Sequence, residues 1–188
     1  MLFIIQDGIF NMDTGTLVEK GTDTTGAVKL FNGEVLADIS YVTQLHNASR
    51  YNLKTIKLTE IMNGANAVKS LLTSNFSALE EATWPEQEAG ARAILGDEGN
   101  VKNEIALIML QTPTAKSRAI AKVRQLAEAD GVDEQAFAVR ITANADTAHM
   151  LGNTSLLEQR AMESQVRLAK TLKELESIQV SYTALKPM

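Results

Sequence analysis

The chain contains no cysteine, and among its 188 residues there are only three prolines and two histidines. Without cysteine there is no disulfide framework, no thiol nucleophile and no Cys-ligated zinc site. Aromatic residues are also scarce, at 5% with a single tryptophan, while apolar residues reach 45%. A core must therefore be built mainly from Ala, Leu, Ile and Val. The length suits one domain, or a small domain with a helical extension. Long hydrophobic runs are missing too. Met1 to Ile5 is apolar, but Gln6 and Asp7 follow at once and no basic stretch precedes it. The pattern fits neither a signal peptide nor a membrane span, and reads as a strand. Eighteen Lys and Arg against 23 Asp and Glu leave a net charge of -5. Such a balance lacks the basic face that phosphate binding requires, so no nucleic-acid partner is expected.

What is present divides into a mixed N-terminal part and a helical remainder. Leu2 to Ile5 is stopped by Asp7-Gly8, and Asp13 to Gly26 is rich in Gly, Thr and Asp, as turns, edge strands or a loop would be. Ala27 to Phe31 and Glu34 to Leu36 read as two strands around Asn32-Gly33, a pair that suits a type I′ hairpin turn. Ile39, Val42 and Leu45 recur at three-residue spacing, so a helix from Asp38 competes with a further strand. Leu53, Ile56 and Leu58 leave the same choice open. Val68, Leu71 and Leu72 suit one helical face, interrupted at Asn75 to Ser77.

Thr83-Trp84-Pro85-Glu86 then opens the helical part. Thr83 is placed to cap, Pro85 is tolerated in a first turn, and Glu86 stands where a capping box needs an acid. Ala89, Ala93 and Leu95 would be the buried stripe, and Gly96 to Asn100 the break. Val101 to Leu110 and Ala115 to Ala129 read as helices separated by Thr112-Pro113. The second should bury Ile120, Val123 and Leu126-Ala127 and end at Gly131. Asp133 restarts the chain, with Phe137, Val139 and Ile141 apolar. Gly152-Asn153-Thr154 reads as a last break, with Thr154 capping a helix striped by Leu157, Ala161, Leu168, Leu172 and Leu175. Leu168, Leu172 and Leu175 have coiled-coil spacing over about two heptads, for which a helical hairpin is the safer reading. The fold class is thus α+β and mostly α: an N-terminal β or α+β unit over 1–60, then an antiparallel helical bundle or hairpin over 61–188.

Candidate chemistry is sparse. His46 and His149 lie about a hundred residues apart with no metal-ligand spacing. Glu80-Glu81, Glu86-Glu88 and Asp97-Glu98 read as solvated caps and turns. Gly21 to Gly26 has neither a Walker ending nor a dinucleotide fingerprint. No catalytic, cofactor-binding or metal residue is assigned. An enzyme would be favoured only if folding set a histidine within hydrogen-bond reach of a carboxylate in a cleft. The interface candidates are Trp84, Met109, Leu110, Met150, Leu151, Leu168, Leu172 and Leu175, large apolar groups that either pack internally or meet a partner.

The helical half resembles a small module of tailed-bacteriophage tail proteins. The resemblance rests on Thr83-Trp84-x-x-Gln87, Ala91 and Ala93, Thr112-Pro113, Leu126-Ala127 to Gly131-Val132, Phe137 to Ile141 with Ala145-Asp146, and Gly152 before Gln159-Arg160. It covers about residues 81–174 and departs at Gly90, where that module usually carries an acid. It implies an antiparallel bundle in a tail or tail-fibre accessory or assembly protein, with phage tail or baseplate proteins or a second copy as partner. It also implies a place in the virion tail, or in the host cytoplasm during assembly, and no membrane. A transient assembly chaperone and a small inhibitor of a host protein are the alternatives.

Overall fold

The structure, a computed structural model, describes residues 1–19, 21–74 and 76–185. It is α+β and mostly α, with a small N-terminal sheet followed by helices. The chain forms two compact units: Met1–Asn66 together with the chain from Leu157 onward, and Ala67–Leu156. The expected division into 1–60 and 61–188 differs from this one in that the C-terminal segment groups with the N-terminal residues. Both boundaries fall inside long helices.

In the first unit, β1 (Leu2–Ile5) and β2 (Gly8–Asn11) form an antiparallel hairpin across Gln6-Asp7. β3 (Thr16–Leu17) extends the β2 edge, and β4 (Val28–Lys29) runs parallel to β1, giving the order β3-β2-β1-β4. Alternation places Phe3 and Ile5 on the face of Phe10, where they pack with Ala37 and Val42. A separate ribbon joins β5 (Phe31–Asn32) to β6 (Val35–Leu36). Its loop residues are Gly33-Glu34 rather than Asn32-Gly33. Gly33 has φ +68° and among the described residues no non-glycine residue has positive φ, so the turn is not type I′ and fits the class with glycine first.

The choice left open after Asp38 resolves to helix. α1 (Ile39–Thr73) runs 35 residues without proline. Its first turn is held by two carboxylates: Ile39 N–H donates to Asp7 Oδ2 at 2.8 Å and Tyr41 N–H to Asp38 Oδ1 at 2.8 Å. Val42, His46 and Ile61 are its buried positions in this unit. Arg50 Nη2 donates to the Ala169 carbonyl at 2.7 Å, and the Tyr182 hydroxyl donates to the Ile61 carbonyl at 2.8 Å. The Tyr182 ring lies flat enough on Gly64 that a Cβ there would come within 2.4 Å of it.

Two further expectations fail at the C-terminal end. Gly152-Asn153-Thr154 is not a break: α6 runs unbroken from Glu134 to Leu168. A lone glycine costs a helix only about 1 kcal/mol, and this one lies far from either end. The buried face of α6 from Ser155 onward is Ser155, Met162, Val166 and Ala169 just beyond the helix, while Leu157, Ala161 and Leu168 are exposed. The helix stops at Leu168, and α7 (Leu172–Ser177) starts with a capping box formed by Thr171 and Glu174. Leu168, Leu172 and Leu175 therefore lie on two helices and form no seam. Leu172 N–H donates to the Asp13 carbonyl at 3.1 Å, which fixes α7 to the loop after β2.

The second unit holds α2 (Ala78–Glu81), α3 (Trp84–Leu95), α4 (Glu104–Gln111), α5 (Pro113–Asp130) and most of α6. Pro113 opens α5, and Gly131 closes it with φ +65°, its N–H and that of Val132 bonding back to Glu128 and Ala127. Val123 and Ala127 are buried with Phe137, and Ile94, Leu126 and Ile141 pack against them. A second cluster is almost all alanine: Ala89, Ala106 and Ala119, with Val101, Met109 and Leu110 around it. Gly90 explains that composition. A Cβ at this position would stand 2.2 Å from the Ala119 carbonyl oxygen, so α3 and α5 touch backbone to backbone. An acid at Gly90 could not be accommodated in this packing.

The capping box expected at Thr83 is absent. Ser77 caps α2, and Thr83 keeps helical backbone angles between α2 and α3. Its hydroxyl donates to the Glu80 carbonyl at 2.8 Å and accepts from Gln87 Nε2 at 2.8 Å. The side chains of Thr83 and Gln87 thus close the first turn of α3 without a backbone cap.

Candidate functional site

The second unit carries an ionic cluster beside an apolar groove. Its centre is Arg92, in the last turn of α3 and 2% exposed. Gly96, with φ +68°, ends α3 and turns the chain back, so that Asp97 N–H bonds the Arg92 carbonyl at 2.8 Å. That turn brings the Asp97 carboxylate to Arg92 Nη1 at 2.6 Å, while Nη2 meets Asp146 Oδ1 of α6 at 2.5 Å. Glu88, one helical turn before Arg92 and 3% exposed, is 3.7 Å from Nη2. Burial works against the charge on Arg92, but the hydrogen bonds and charges of Asp146 and Asp97 outweigh it and raise its pKa. Asn100, which donates to Asp97 at 2.5 Å, and then Arg92 hold the Asp97 carboxyl below its ordinary range. A pocket of about 430 Å³ opens on this cluster, lined by Arg92, Asp97, Asn100, Lys102, Asp146, His149, Met150 and Asn153.

The groove alongside measures about 530 Å³. Leu71 and Leu72 of α1, Phe76, Trp84, and Ile141, Ala145 and Ala148 of α6 form its apolar wall. Trp84 and Phe76 meet edge to face, centroids 5.1 Å apart at 88°. Glu88 and His149 also line it, Nε2 of His149 standing 3.5 Å from Glu88 Oε2. Histidine and carboxylate thus share one cleft. Among the described residues no three His, Cys, Asp or Glu side chains gather as a metal would need.

The interface candidates separate clearly by environment. Trp84 is half-buried on the groove wall. Met109 and Leu110 pack onto the alanine cluster, Leu151 and Leu172 are half-buried, and Leu175 is fully buried in the first unit. Met150 and Leu168 are exposed, at 61% and 73%. On α4 the outward residues Ile105, Leu107 and Ile108 are exposed, a face not singled out from the sequence. His46 is structural: buried, with Nδ1 2.7 Å from the Met12 carbonyl and its ring against Gly15.

Glu88, Arg92, Asp97 and Asp146 were not expected to form a site. One signal was available: Glu88 and Arg92 are an i,i+4 ion pair flanking Ala89-Gly90-Ala91, and three small residues in a helix mark a face that is closely covered. Among the described residues no helix is long and apolar enough to cross a membrane. No family model matches this chain, and no curated protein or solved structure matches it.

Proposed function

We propose that this chain is a structural or adaptor protein of a bacteriophage tail that works by protein–protein contact, including contact between its own copies. The observation that carries the contact role is the distribution of its apolar side chains. Among the described residues, large apolar side chains at exposed positions outnumber those that are buried, and the core is rich in alanine. α4 is the clearest case, with Ile105, Leu107 and Ile108 in solvent on a helix of eight residues. Full burial of one such side chain contributes roughly 1.5–3 kcal/mol, so a few of them suffice to drive association. The tail assignment rests on the resemblance through Trp84-x-x-Gln87, Thr112-Pro113 and the helix breaks that do form. Quantitative peptide mass spectrometry of purified phage particles tests it. The expected result is a fixed copy number relative to the tail proteins that survives high-salt washing; absence from finished particles would overturn it.

A further inference from the structure

We propose that the groove between Trp84 and His149 binds a small organic cation with an apolar body, the charge meeting Glu88 and the body lying against Trp84 and Phe76. The proposal stands apart from the assembly role, since it concerns a cavity and not the outer face of α4. Three observations carry it.

The first is charge. Arg92 faces three carboxylates, and its short contacts go to Asp97 and Asp146 at 2.6 and 2.5 Å, leaving Glu88 at 3.7 Å. The second is spare hydrogen-bond capacity. Glu88 is a buried carboxylate with room for about four hydrogen bonds, yet it accepts one, from Lys102 N–H at 3.3 Å. His149 at 3.5 Å balances its charge only when protonated. A buried carboxylate so placed gains from any cation that reaches it. The third is the wall. Among the described residues the charged groups lining the groove are Glu80 and Glu88, with no Lys or Arg, and two aromatic rings line the same groove. Aromatic rings that share a cavity with a carboxylate favour organic cations, and the volume lies within the range of small-molecule sites.

Three probes of one shape and different charge test this on the full-length chain: phenylpropylamine, phenylpropanol and phenylpropionate. Trp84 is the only tryptophan, so its fluorescence reports the groove directly, and calorimetry gives the affinity. The amine is expected to saturate and to bind at least about tenfold more tightly than the alcohol or the carboxylate, the scale of one hydrogen bond to a charged group. Glu88→Gln should remove that preference and leave alcohol binding unchanged. Asn144→Arg, at an exposed position on the rim, should weaken the amine alone. If circular dichroism shows that Glu88→Gln does not fold, Asn144→Arg decides. Equal binding of the three probes, saturation by none, or an amine preference that survives in the folded variants would overturn the proposal.

Discussion

The two units solve the same packing problem with different materials. The first closes a sheet and segments of α1, α6 and α7 with medium and large apolar groups, Ile5, Phe10, Val42, Val166 and Leu175, and ties distant segments by polar contacts such as Tyr182 to Ile61. The second has few large residues inside. It brings backbones together at Gly90 and Ala119 and buries a charge, Arg92, at the end of the same helix. A unit short of apolar volume depends on close approach and on the ion pairs around Arg92, and each is unforgiving of substitution. The first unit spreads its stability over more contacts and should tolerate single changes better.

The largest expected effect follows from breaking the ionic centre. Arg92→Ala leaves Glu88 buried without its guanidinium and should cost about 3–5 kcal/mol, measured by chemical denaturation. Glu88→Leu combined with Arg92→Met should recover most of that loss, because no buried charge remains. A double variant as unstable as Arg92→Ala would show that the pair is not what limits the second unit. Next is Gly90→Ala, which sets a methyl group against a backbone carbonyl that cannot rotate away. A loss of about 1–3 kcal/mol is expected, with hydrogen exchange accelerated in α3 and α5.

In the first unit, Tyr182→Phe removes one hydrogen bond and keeps the ring on Gly64. The expected loss is about 0.5–1.5 kcal/mol, with faster exchange confined to α1 near Ile61 and to the C-terminal segment. Accelerated exchange in α3 as well would erase the distinction between the units. The smallest effect is pH dependence. The folded-state pKa of Asp97 is lowered, so its contribution is fully present above the unfolded value of about 3.9 and is lost as pH falls through the lower folded value. Asp97→Asn should flatten the acid limb of second-unit stability below about pH 4. An unchanged acid limb in that variant would remove Asp97 from the balance.

Several helix ends and the mostly helical fold class were legible in the chain itself, and the misses have physical causes. Pro113, Gly96 and Gly131 marked real helix ends because each forces the backbone, and the Val123–Ala127 stripe followed from helical period alone. Gly152 misled because glycine inside a long helix has the same symbol as glycine at its end. The Leu168, Leu172 and Leu175 spacing misled because periodicity cannot register that Lys170-Thr171 interrupts the helix. Grouping of the C-terminal segment with the sheet depends on contacts about 160 residues apart, such as Lys173 with Asp13, which no local pattern encodes. The ionic site stayed hidden for a related reason: Asp97 reaches Arg92 only through the Gly96 turn, and Asp146 reaches it from another helix, 54 residues along the chain.

The most direct test of a contact role is the mass of the 188-residue chain in solution by sedimentation equilibrium, alongside the double variant Ile105→Lys and Ile108→Lys. Assemblies heavier than the 20.4 kDa chain for the natural sequence, reduced to single chains in the double variant with the helical signal intact, are the predicted result. A natural chain that stays a single 20.4 kDa species at every concentration, indistinguishable from the variant, would contradict it.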